Sequence, residues 1–174
     1  MSRQHLRVLG IDPGSRRTGF GVIDFFPPRQ TRYVTSGVIA AEGDSVGPKL
    51  KSIFDGVRQV VAGYVPGQIA VESVFMSRNA QSALKLGQAR GVAIAAALLC
   101  EIELAEYSAT QIKKAVVGRG KATKDQVQQM VRHLLELPQS PVSDAADALA
   151  CAICHCHYQR GWYASILPVR SVAE

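Results

Sequence analysis

"RVLGIDPGSRRTGFGVIDF", Arg7 to Phe25, holds two apolar runs separated by Asp-Pro-Gly-Ser. A buried strand ending in one carboxylate, a tight turn at Pro-Gly and a second strand coming back is the simplest pattern that accommodates both runs. It predicts strands over Leu6–Asp12 and Thr18–Phe26, and it delivers Asp12 to a strand end. Asp12 is then either a turn residue or a reactive group, and the rest of the chain has to decide which.

Downstream of this hairpin, Arg32–Ala40 reads as a third strand after "FPPRQ". Leu50, Ile53, Phe54, Val57, Val60 and Val61 then recur at three- and four-residue spacing, the stripe of an amphipathic helix over Val46–Tyr64. The short run "IAVES" follows as a fourth strand and ends in a second carboxylate, Glu72. An Ala- and Leu-rich segment from Asn79 to about Glu101 predicts a long helix, and "IELAEYS" a last strand. Ser108-Ala-Thr-Gln111 and Thr123-Lys-Asp-Gln126 both fit the capping box, so a helix starts at each. A final helix begins near Ser143 and runs through Arg160. The expected fold is α/β, a mixed five-stranded sheet flanked by helices. One domain over residues 1–158 is expected, with residues 159–174 as a poorly ordered C-terminal tail.

With 174 residues, 47% hydrophobic and 20% charged, the chain has the size of one globular domain able to bury a core. Its start is a poor signal peptide, because the apolar run is short and ends in a carboxylate. The longest apolar run, Gly91 to Cys100, is too short to span a bilayer, so no membrane role is expected. Cys151, Cys154 and Cys156 crowd together, unlike the spread framework of a disulfide-stapled secreted domain, and reduced thiols in a cytoplasmic protein fit better. The formal charge is +6, and much of it is concentrated: between Gln111 and Arg132 six basic residues face Asp125 alone. A polyanionic partner follows more readily from that clustering than from the net charge.

"SDAADALA" adds Asp144 and Asp147, whose spacing puts both on one face of a helix. Their neighbours are nearly all alanine, which lets that face approach the sheet closely and brings both toward Asp12 and Glu72. Alone, the pair is equally compatible with a carboxylate favoured by the helix dipole and a solvated surface charge. Four clustered carboxylates would repel one another and persist mainly when cations neutralise them. Oxygen-only ligands favour hard ions such as magnesium, and two such ions can drive phosphodiester hydrolysis.

"GIDPGSRRTGFG", "VESVFMSRNAQSALKLGQARG" and "DAADALA", in this order and at these separations, closely resemble the RuvC family of bacterial Holliday junction resolvases. The resemblance runs to about Gln159. It implies a ribonuclease H-like fold, a homodimer, and a nuclease that nicks two opposed strands of four-way junction DNA with two magnesium ions per subunit, manganese being an acceptable substitute. Carried over by motif, the catalytic and metal-binding acids are Asp12, Glu72, Asp144 and Asp147, and Lys113 is a further catalytic residue. Phe75, which on residue type alone reads as core, becomes a candidate for stacking on an unpaired base. Arg78 and Asn79 either reach phosphate or cap the next helix; Lys113, Lys114, Arg119, Lys121, Lys124 and Arg132 are expected along the DNA. Family partners would include a branch-migration motor built of RuvA and RuvB.

Two rivals are weighed. An actin-like nucleotide-binding protein shares the first motif but needs two lobes, more than 174 residues supply. A non-catalytic junction-binding protein predicts a missing carboxylate, and all four are present. "CAICHCH" suggests zinc, but a continuous helix sends Cys156 and His157 away from Cys151, Cys154 and His155. Gly14, Gly19 and Gly21 are expected to serve as turn and bulge residues.

Overall fold

The computed structural model describes residues 5–73 and 79–166, with side chains to residue 159. Strand β1 (Leu6–Asp12) pairs antiparallel with β2 (Arg17–Phe26), which pairs antiparallel with β3 (Gln30–Ala40). Helix α1 (Val46–Tyr64) returns the chain to β4 (Gln68–Ser73), parallel to β1. Helix α2 (Ala80–Leu98) leads to β5 (Glu103–Ser108), parallel to β4, and the sheet order is β3-β2-β1-β4-β5. Three further helices follow: α3 (Ala109–Val117), α4 (Lys124–Leu134) and α5 (Ser143–Ile166). This is the expected ribonuclease H-like arrangement.

Both predicted capping boxes form. Ser108 accepts a hydrogen bond from the Gln111 N–H and Thr123 from the Gln126 N–H, while each glutamine side chain accepts from the backbone N–H of its cap. Helix α5 continues through Ile166, beyond the Arg160 expected, so the boundary placed at residue 159 falls inside a helix. Residues 167–174 lie outside the described residues.

Strand periodicity divides the core in two. Leu9, Ile11, Val22, Ile69 and Val71 face α1 and α2, where Ile53, Val57, Ala93 and Ala97 meet them. Val8, Ile23, Phe25 and Ala70 face the other way, onto α3, α4 and α5. Asp12 shares the parity of Val8, and Glu72 that of Ala70, so both carboxylates are sent to the α5 side of the sheet.

Helix α5 reaches unusually close to the strands, and glycines explain it. A Cβ on Gly10 would overlap the carbonyl oxygen of Ala148, one on Gly19 that of Asp144, and one on Gly21 the Leu149 side chain. Gly19 and Gly21 lie in regular register within β2, and the irregularity in that strand falls at Val22/Ile23 instead. Their role is therefore close approach of a helix, which corrects the expectation of turn and bulge positions. Gly14 does act in the turn, where a Cβ would overlap the Arg17 carbonyl oxygen.

Candidate active site

Three carboxylates arrive at one cleft from three elements: Asp12 from the end of β1, Glu72 from the end of β4 and Asp147 from the first turns of α5. The cleft has a volume of about 210 Å³ and is floored on one side by Ala109, Ile112 and Val127. Lys113 from α3 and Lys124 from α4 complete its lining. The capping boxes set where α3 and α4 begin, so they also set where these two lysines point.

Electrostatics inside the cleft favour a bound cation. Burial, then the charges of Asp147 and Glu72, push the Asp12 carboxyl up to about 7, with Lys124 opposing the shift and Asp144 adding to it. Burial and Asp147 likewise raise Glu72, against Lys124 and Lys113. The Lys124 ammonium donates to Asp147 Oδ2 at 3.0 Å, and that bond is the largest reason its own pKa is raised. A carboxylate set this strained without a cation, made only of oxygen donors, suits one or more hard divalent ions. Asp12, Glu72 and Asp147 supply donors of that chemistry to one cleft, although no three of the described His, Cys, Asp or Glu side chains already stand close enough to grasp a single ion.

Asp144 stands at the rim. Its carboxylate pairs with the Arg17 guanidinium, Nε to Oδ2 3.4 Å, and its charge still reaches Asp12. Asn79 is the N-cap of α2: its Oδ1 accepts from the Ser82 N–H at 3.1 Å, the capping alternative of the two foreseen. Lys114, Arg119 and Lys121 are exposed on the end of α3 and the loop after it. Arg132 is otherwise engaged, donating to the carbonyls of Leu137 and Pro138 where the chain leaves α4, so it closes a loop. Phe75 and Arg78 lie outside the described residues.

Two contributors escaped the sequence reading. Arg17 holds Asp144, and its only signal was its place beside the "DPGS" turn. Arg90, inside "GQARG", donates from Nε to the Glu72 carbonyl at 3.5 Å and pairs through Nη2 with Glu106 at 2.9 Å, fastening α2 to the strand end that carries Glu72.

The cysteine segment has a different environment. Helix α5 is unbroken across Cys151–His157, and Cys151, Cys154 and Cys156 are fully buried. Burial pushes the Cys154 thiol up to about 12 and holds the Cys151 thiol well above its usual value. His155 Nε2 lies 2.7 Å from Gln68 Oε1, which only accepts, while the Gln68 amide donates to Glu103 at 2.8 Å. His155 therefore carries its proton on Nε2, and its Nδ1 accepts from the Tyr107 hydroxyl at 2.8 Å.

The family model described as crossover junction endodeoxyribonuclease RuvC matches residues 8–155. A protein of that name from Shewanella oneidensis is 56% identical over 150 residues, covering 86% of this chain and 86% of the relative. Another, from Aromatoleum aromaticum, is 56% identical over 155 residues, 89% of this chain and 83% of the relative. Among solved structures, T. thermophilus RuvC in complex with Holliday junction substrate superposes with a TM-score of 0.85 at 33% identity, covering 91% of this chain and 97% of that one.

Proposed function

The chain belongs to the RuvC family of crossover junction endodeoxyribonucleases, and from that premise we propose that it resolves Holliday junctions by paired nicks in opposed strands. What supports the reading is the convergence of Asp12, Glu72 and Asp147 beside Lys113 and Lys124 in one cleft. A binding protein has no use for carboxylates that repel both one another and a DNA backbone; a hydrolase that loads divalent cations does.

In this reading Asp12, Glu72, Asp144 and Asp147 hold two magnesium ions, or manganese in their place, whose chemistry when bound is to activate a water and stabilise the leaving oxygen of a phosphodiester. Lys113, which lines the cleft, is assigned to the phosphate undergoing attack. Lys124 orients the Asp147 carboxylate through its 3.0 Å bond and relieves repulsion on Asp12 and Glu72. Arg17 fixes the direction of Asp144. Lys114, Arg119 and Lys121 continue the basic surface along the DNA. Phe75 and Arg78, next along the chain from Glu72, are assigned to the crossover, Phe75 by stacking on an unpaired base.

A two-fold homodimer presents two clefts to the two opposed strands, which is how a four-way junction is distinguished from a single duplex. A branch-migration motor of RuvA and RuvB is the proposed partner, and the cytoplasm the proposed location. No helix among the described residues is long and apolar enough to cross a membrane.

Incubating the purified protein with a synthetic four-way junction and with linear duplex, with and without magnesium, tests the reading. Symmetric nicks in the junction alone, dependent on the metal, are expected. Equal cutting of both substrates, or cutting in excess chelator, refutes it.

A further inference from the structure

A second hollow, of about 330 Å³, lies on the α1/α2 side of the sheet at the same end as the acidic cleft. Arg16 of the β1–β2 turn, Lys49 of α1 and Lys85 and Gln88 of α2 line it, and Asp44 is the sole carboxylate among its described lining residues. Three elements distant in sequence thus aim cations at one space. Among the described residues, none of the three cations forms an ion pair with a carboxylate, so salt bridging within the protein does not account for their convergence.

Two further features point to an anion. Ser45, at the N-cap of α1, makes no side-chain cap hydrogen bond, and the first turn of this helix carries no acidic residue. The positive end of a long helix therefore opens beside the three cations, with Asp44 the one carboxylate near it among the described lining residues. No aromatic side chain is among its described lining residues, which suits these to phosphates and not to bases.

Its position relative to the cleft is informative. Arg16 and Arg17 are consecutive, yet Arg17 reaches Asp144 at the rim of the acidic cleft while Arg16 lines the second hollow. Helix α2, which carries Lys85, begins soon after Glu72 in the chain. The β1–β2 turn thus joins the two hollows, and Arg16 shares the second with Lys49 and Lys85.

We propose that this hollow is a phosphate-binding groove for the backbone of a junction arm, so that DNA passes over the end of the sheet and is held on both of its faces. The assignment rests on the junction-nuclease reading. Lys113 and Lys124 then grip the strand on the α5 side, and Arg16, Lys49 and Lys85 grip it beyond the turn.

The test is the salt dependence of junction binding, measured on the full chain with a synthetic four-way junction and magnesium omitted. Removing one lysine–phosphate pairing lowers the slope of log K against log salt by about 0.9, so Lys49→Gln with Lys85→Gln should flatten it by about 1.8 and weaken binding. Lys49→Glu with Lys85→Glu should weaken it further. Lys51→Gln, on the same helix but paired with Asp55, serves as a control and should leave the slope unchanged. Thermal melting of each variant establishes that it is folded. An unchanged slope and affinity in the folded double variants overturns the groove while leaving the nuclease reading intact. A wild-type protein that neither binds nor cuts junctions overturns that reading instead.

Discussion

Gly19 stands directly opposite Asp12 in the β1–β2 ladder, and its lack of a side chain is what admits the Asp144 carbonyl to the strand. One glycine therefore sets the distance between the strand that carries Asp12 and the helix that carries Asp144 and Asp147. Gly19→Val should push α5 outward, costing about 1–3 kcal/mol of stability through overpacking. Cleavage should fall more than junction binding, since the basic residues on α3 and α4 are not displaced. Denaturant melts and paired cleavage and binding assays measure both; a variant with wild-type cleavage shows that the helix position does not govern the site.

Asp12→Asn should abolish cleavage while leaving junction binding, and Glu72→Gln and Asp147→Asn should do the same. The metal-free protein supplies an independent readout. Asp12 has a raised carboxyl pKa, so its ionised form destabilises the fold above about 7 and its protonation relieves this as pH falls. In chelator at pH 8, Asp12→Asn should melt higher than wild type, and magnesium should raise the wild-type Tm but not that of the variant. A lower Tm for Asp12→Asn in chelator contradicts the electrostatic picture of the cleft.

Lys124 donates to Asp147, one of the carboxylates proposed to hold a cation. Its removal should leave the magnesium-induced rise in Tm intact or enlarge it, while cleavage at saturating magnesium drops by about a hundredfold. If Lys124→Ala instead abolishes the metal-induced rise, the lysine is needed to build the metal site and not to act beside it.

Of the four cysteines, Cys100 is exposed and the other three are buried in the α5 core with thiols that resist ionisation where the shift is resolved. Iodoacetamide should label the native protein at Cys100 alone and reach Cys151, Cys154 and Cys156 only after unfolding. Rapid native labelling of Cys151 would show that α5 does not seal against the sheet. Metal analysis of protein purified without added metal should find no stoichiometric zinc, because both ring nitrogens of His155 are hydrogen-bonded and the thiols of this segment are buried in the core.

His155 is held neutral by burial, with its pKa below the usual 6.5. The unfolded chain protonates this histidine near 6.5 and the folded chain only at lower pH, so its contribution to stability is complete above 6.5 and is lost as pH falls through that window. Asp12 works in the opposite direction over part of the same range, so the comparison must be with His155→Gln. The stability difference between wild type and this variant should shrink from pH 7.5 to pH 5.5; a constant difference would mean that His155 does not change its protonation on unfolding.

Much of this molecule is written locally. Short runs bounded by turn residues marked β1 to β5, the three- and four-residue stripe marked α1, and two capping boxes marked the starts of α3 and α4, because each of these signals depends on residues within one or two turns of one another. The same strand parity determined that Asp12 and Glu72 share a face of the sheet. Tertiary structure alone decided which surfaces meet: that Gly10, Gly19 and Gly21 form the bed of α5, that Asp147 enters the cleft while Asp144 turns to Arg17, and that Arg16 and Arg17 serve opposite faces. These depend on volume exclusion and charge between segments more than a hundred residues apart in several cases. A residue's own neighbours in the chain carry no record of what will be pressed against it.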